Sequence, residues 1–230
     1  MRVIHSEHLY QLTLFPRLFP VNCYFVEEQE GLTLIDAALG LAAKDILQAA
    51  ARIGKPIIRI LLTHAHDDHV GALDAVKAAF PQAPLLMSAR DAQIMNGDKS
   101  LLPHEDQTPI KGGVSEKVKT RPDGTLQEGD MAGSLRVMET PGHTPGSLSF
   151  LDIRTNTLIV GDALQTRGGL AVAGQVRPLF PFPAWGTWSK TTALQSAQKI
   201  AELQPAVLAV GHGELLRAPA LEIKQAIARG

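Results

Sequence analysis

The chain has 230 residues, 45% of them hydrophobic and 20% charged, with a formal net charge of −1, enough apolar material for one domain over 1–230 with a sizeable core. Near-neutral charge without a Lys/Arg cluster argues against nucleic acid as a partner, and no apolar run reaches membrane-spanning length. Residues behind Met1, among them His5, Glu7 and His8, lack a signal-peptide core, so a cytoplasmic protein acting on a small molecule is expected.

The spacing predicts strands over 8–15, 22–27 and 32–36, the last two joined by a polar turn at 28–31, which reads as a β-meander. Cys23 is the only cysteine, which excludes an internal disulfide; it lies in a predicted strand with no histidine beside it and reads as an inert buried thiol. Asp36 closes its strand and fits two roles, capping the next helix or supporting a site nearby. An alanine- and leucine-rich helix over 41–53 stops at Gly54, and 57–62 is a buried strand of β-branched residues behind Pro56.

That strand ends in Thr63-His64-Ala65-His66-Asp67-Asp68-His69. In extended chain, residues i and i+2 point the same way, so His64 and His66 can present two imidazoles to one ion. Asp68 and His69 open a helix predicted over 68–80 and can face a second ion. Mixed imidazole and carboxylate donors suit a borderline divalent cation such as zinc. Thr63 and Asp67 read equally as support for the site or as plain structure.

A short strand over 84–87 and a helix capped by Ser88 and running to about 96 extend the strand–helix alternation of an α/β fold. Residues 97–124, with three prolines and the Gly112-Gly113 pair, are too long for an ordinary connection and are read as an active-site flap; His104 within them reads as a solvated loop histidine. Strands return over 125–130, 135–140, 147–151 and 157–160, followed by a helix over 187–203, a strand over 206–210 and a terminal helix over 219–229. In this half three apolar segments each deliver one ligand-type residue beside glycine: His143, Asp162 and His212.

Together His64, His66, Asp68 and His69, Thr140-Pro141-Gly142-His143-Thr144-Pro145-Gly146-Ser147, Gly161-Asp162 and Gly211-His212 resemble the motifs of the metallo-β-lactamase superfamily of hydrolases. The resemblance implies a four-layer αββα sandwich with a dinuclear site between the sheet edges. By analogy His64, His66 and His143 bind one metal, Asp68, His69 and His212 the other, and Asp162 bridges them, with zinc expected first and iron or manganese as alternatives. It further implies hydrolysis by metal-activated hydroxide, with Asp68 orienting the nucleophile or accepting its proton.

The resemblance leaves the substrate open within a glyoxalase II-like or lactonase-like branch. An aspartate in the bridging position argues against β-lactamase activity, the short stretch after His212 argues against glyoxalase II itself, and Tyr10 and Tyr24, the only tyrosines, weaken a homoserine-lactonase assignment. The stretch 177–188 is rich in proline and aromatics, and Phe180, Phe182 and Trp185 are read either as a pocket for an acyl or aryl group or as core or homodimer packing. A small ester, lactone, thioester or phosphotriester is the expected substrate. The alternatives are a mononuclear iron persulfide dioxygenase using His64, His66, His143 and Asp162, and a non-enzymatic metal-binding protein.

Overall fold

Alternation along the strands sorts apolar side chains into three separate cores, and these cores define the layers. In the computed structural model, which describes residues 1–230, one mixed sheet runs β1 (Arg2–Ser6), β2 (Leu9–Leu14), β3 (Val21–Glu27), β4 (Leu32–Ile35), β5 (Ile57–Leu61), β6 (Leu85–Ser88) and β7 (Gly124–Leu126) in that order. Its first four strands are antiparallel neighbours, and β4 to β7 are parallel. The second sheet takes β8 (Met131–Ala132), β9 (Leu135–Glu139), β10 (Leu148–Asp152) and β11 (Thr157–Ile159). Beyond β11 it continues with β14 (Val207–Ala209) and β15 (Leu216–Arg217), while β12 (Leu164–Gln165) and β13 (Ala171–Val172) form a separate ribbon.

Leu61 faces the second sheet, while Ile60 and Leu62 face helices α1 (Ala43–Ile53), α3 (Leu73–Ala79) and α4 (Ala89–Met95). In the same way Phe150 and Ile159 point between the sheets, and Leu151 and Leu158 point toward α6 (Lys190–Glu202) and α7 (Ala220–Ile227). The result is the four-layer αββα sandwich, with Tyr24, Phe150, Leu61 and Ile35 sealed between the sheets. Each such side chain contributes about 1.5–3 kcal/mol on burial. No helix is long and apolar enough to cross a membrane.

The helix expected over 68–80 is interrupted: α2 (Asp67–Val70) and α3 are separate. Gly71 N and Ala72 N donate to Ala38 O and Ala37 O, so a neighbouring turn takes donors that a continuous helix would use. A Cβ on Gly71 would crowd the backbone of Leu39 and Gly40, so the close approach requires glycine there. Strand β1 was not expected; it is half-exposed and exists through its ladder to β2. The strand expected over 125–130 shortens to β7, and the terminal helices begin later than expected, α6 behind the N-cap Ser189.

Segment 98–123, between α4 and β7, has no helix or strand, yet it is tied down at several points. The Arg90 guanidinium pairs with Glu105 at 2.6 Å, Trp188 Nε1 donates to Thr108 O, and Val114 forms a β-bridge with His66. These contacts lay Lys111, Gly112 and Gly113 beside the ligand-bearing loops.

Candidate metal centre

Five imidazoles converge where strand ends of the two sheets meet, and each has one ring nitrogen committed outward. His66 Nε2 donates to Lys111 O at 3.0 Å and His212 Nδ1 to Pro20 O at 2.7 Å, so the carbonyl acceptors fix both tautomers. His69 Nδ1 donates to Asp36 Oδ2 at 2.8 Å. Thr63 Oγ1 gives its own proton to Asp36 and so accepts from His64 Nδ1, at 3.0 Å. Thr187 Oγ1 gives its proton to Pro183 O and accepts from His143 Nδ1, at 3.2 Å.

The remaining nitrogens turn inward, those of His64, His66 and His143 as lone pairs. His66 Nδ1 and His143 Nε2 face each other at 3.0 Å, while His64 Nε2, His69 Nε2 and Asp162 Oδ1 are buried without any hydrogen-bond partner. Facing lone pairs and orphaned buried acceptors cost free energy unless a cation lies among them. The donor set therefore fits divalent metal. Within one ligand-sized radius the side chains form His64, His66 and His143 as one group and Asp68, His69 and His212 as another. Asp162 joins His64 and His69 in a third, and its carboxylate lies 3.4 Å from His143 Nε2, 3.4 Å from His69 Nε2 and 3.1 Å from His212 Nε2. It stands between the two outer groups.

The electrostatics divide the cluster. Burial holds His64 well below the usual imidazole range and brings His143 down to about 3, so both are neutral donors. Burial, the largest single influence, opposes charge on His69 and His212, but Asp162 and Asp68, joined by Asp36 at His69, together outweigh it, and His212 is raised to about 10. Burial works against the charged form of Asp162 and Asp68 too, yet these imidazoles hold both carboxyls well below the ordinary range. A positive charge is thus called for at the Asp68–His69–His212 side.

Asp36 plays the supporting role: its oxygens accept from Thr63 N, Thr63 Oγ1 and His69 Nδ1. Asp67 is exposed, with its backbone N donating to Gly113 O. His104 lines a different cleft, and Cys23 is wholly buried, with its thiol pushed up by burial.

A cavity of about 400 Å³ opens over the centre, lined by His66, Asp68, His143, Asp162 and His212 together with Phe19, Leu39, Asp67, Gly112, Gly113, Phe182, Pro183 and Gly186. Of the three aromatics singled out in the sequence, Phe182 lines it. Phe180 is fully buried beneath, with its ring 5.3 Å from that of His212, and Trp185 is 63% exposed outside, edge-on to Phe182. They divide into wall, floor and rim because α5 (Phe182–Trp185) turns the segment back on itself. Sequence reasoning missed Phe19, Leu39 and Thr187, whose signal is spatial: nothing in the local pattern ties them to His143 or His212.

A family model described as "Metallo-beta-lactamase superfamily" matches residues 16–212. The chain is similar to the uncharacterized protein YobT of Bacillus subtilis, 54% identical over 99% of this chain and 97% of that one. It is similar also to the probable metallo-hydrolase YflN of Bacillus subtilis, 30% identical over 84% of this chain and 80% of that one. Among solved structures, TTHA1623 in a di-iron-bound form superposes with a TM-score of 0.65 at 26% identity, covering 91% of this chain and 95% of that one.

Proposed function

The chain belongs to the metallo-beta-lactamase superfamily, and from that premise we propose that it is a dinuclear metallo-hydrolase acting on a small neutral ester, lactone, thioester or phosphotriester. The observation that carries the reading is the inward convergence of imidazole nitrogens and carboxylate oxygens in two three-residue groups with Asp162 between them. His64, His66 and His143 would hold one ion, Asp68, His69 and His212 the other, and Asp162 both. Bound there, two divalent cations, zinc first and iron or manganese as alternatives, supply Lewis acidity and acidify water near neutral pH.

The chain's own residues supply the rest. The Asp68 side chain is 25% exposed toward the cavity, and its ionised carboxylate orients the attacking water and takes its proton. Phe19, Leu39, Phe182 and Pro183 form apolar walls for an acyl or aryl group and exclude water from one side of it. No lysine or arginine side chain lines the cavity, whereas Asp67, Asp68 and Asp162 do. A substrate carrying its own carboxylates would meet no compensating cation from the protein, which favours neutral substrates.

Elemental analysis of protein purified without added metal, paired with hydrolysis of neutral and anionic esters, lactones, thioesters and phosphotriesters, tests this. The expected outcome is about two ions per chain, preference for neutral substrates, and loss of at least about 100-fold in kcat for Asp68→Asn with the fold intact. One iron per chain without hydrolysis, or undiminished turnover by Asp68→Asn, would overturn it.

A further inference from the structure

Asp91 is a wholly buried carboxylate with no ion-pair partner. The adjacent cation, Arg90, is turned away into a bidentate contact with Glu105, its Nε and Nη2 donating to Oε1 and Oε2 at 2.6 and 2.9 Å. Burying a carboxylate in this way costs free energy, and burial indeed pushes the Asp91 carboxyl up to about 6. Something must offset that cost.

What Asp91 does with its oxygens is specific. Oδ2 accepts from Ala65 N at 2.9 Å and from Thr144 Oγ1 at 2.8 Å, and Oδ1 accepts from Gly146 N at 2.8 Å. Ala65 lies between His64 and His66, and Thr144 follows His143. One side chain thus joins the two loops that carry the first ligand group, although they are 77 residues apart in the chain at His66 and His143. The helix start fixes Asp91 itself: it is the third residue of α4, with its backbone N donating to the N-cap Ser88 Oγ at 3.0 Å.

The chemistry also explains why the residue is an aspartate. Three donors arrive on two oxygens, so both must be acceptors. An asparagine would turn its amide N–H groups toward either Gly146 N–H or the Ala65 and Thr144 donors. None of the three hydrogen bonds reaches the second group, Asp68, His69 and His212, which is supported instead by Asp36 and Pro20 O.

We propose that Asp91 is a positioning residue that sets the spacing of His64, His66 and His143, and that the buried carboxylate is retained for metal binding by that group alone. The proposal rests on the dinuclear reading above. Its signature is selectivity: loss of Asp91 weakens one metal position and spares the other, which general destabilisation of the fold would not do.

The test separates the two positions by background. His212→Ala leaves the first group intact and His143→Ala leaves the second; Zn²⁺ affinity of each is measured by competition with a chromophoric chelator, with and without Asp91→Asn. Asp91→Asn is expected to weaken Zn²⁺ by about 10–100-fold in the His212→Ala background and by less than about threefold in the His143→Ala background. Thr144→Val, which removes one of the three donors and disturbs folding less, is expected to give a smaller loss of about three- to tenfold with the same selectivity, and decides the matter should Asp91→Asn not fold. Equal losses in both backgrounds, or none in either, would overturn the role of Asp91. Failure of the His143→Ala protein alone to bind Zn²⁺ would overturn the two-ion reading while leaving Asp91 to be judged in the other background. No Zn²⁺ on the His212→Ala protein would overturn both.

Discussion

Gly211→Ala is the sharpest test of how tightly Asp162 is held. Gly211 precedes His212, and its backbone lies outside the left-handed region, so alanine fits the local conformation. Space is the obstacle: a Cβ there would fall well inside contact distance of Asp162 Oδ1 and 2.8 Å from His69 Cε1. Ordinary contacts begin near about 3.5 Å, so the carboxylate must retreat by more than about 1 Å, away from its place between the two ligand groups. Displacement on that scale costs about 100-fold in rate, and overpacking costs about 1–3 kcal/mol, lowering Tm by roughly 2–12 °C. Gly186→Ala is the matched control: it lies beside the same centre, in helical conformation, and its Cβ would meet His143 Cε1 at 3.5 Å and His66 Cε1 at 3.8 Å, which is normal packing. The assay is kcat/KM on a shared substrate together with metal content. Gly211→Ala within about threefold of wild type, or Gly186→Ala equally damaged, would refute the reasoning.

Thr187→Val removes the acceptor for His143 Nδ1 and should lower metal affinity and kcat by about 10-fold or more with KM nearly unchanged; an unaltered chelator titration would count against that role. Phe182→Ala, at a wall residue 48% exposed, should raise KM for long-chain acyl substrates by about 3- to 10-fold and leave acetyl substrates unaffected, so equal effects on both would remove Phe182 from the pocket. Glu105→Gln tests the anchoring of segment 98–123. Burial opposes the Glu105 charge, but Arg90 prevails and depresses the carboxyl, so its contribution is present above the unfolded value near about 4.3 and fades as pH falls through the lower folded value. Denaturant unfolding should find the variant about 1–3 kcal/mol less stable at pH 7 and the gap closing as Glu105 protonates in acid; a gap that persists once it is protonated would refute the ion-pair account.

Much of the fold and the centre is legible in the sequence because both depend on short-range periodicity. Alternation at Ile60, Leu61 and Leu62 already assigns those residues to opposite faces, and His64 and His66 inherit the register at the strand end. Each later ligand follows the same pattern, an apolar segment running into glycine and then His143, Asp162 or His212. The parts that escape the sequence are set by contacts across the chain. The helix break at Gly71 is caused by carbonyls of Ala37 and Ala38, and β1, with its polar Arg2 and His5, is a strand through pairing with β2. Asp91 looks locally like an ordinary capping-box residue, and its hydrogen bonds to Ala65, Thr144 and Gly146 have no local signal.

Those cross-chain contacts also explain why the centre lies where the sheets meet. Leu148 N donates to Thr63 O, Asn22 N to Gly211 O and Tyr24 OH to Val210 O, so strands of one sheet directly hold the ligand-bearing ends of the other. Each ligand loop is thereby a continuation of a strand whose position is fixed by the apolar core between the sheets. That core supplies the rigidity that the polar cluster lacks, since His64 Nε2, His69 Nε2 and Asp162 Oδ1 are buried there without a hydrogen-bond partner. The free-energy conflict is therefore confined to the centre, whereas the apolar core between the sheets draws on none of these side chains. A site built this way can exchange its cavity walls, here Phe19, Leu39 and Phe182 on three separate segments, without disturbing the polar cluster beneath them.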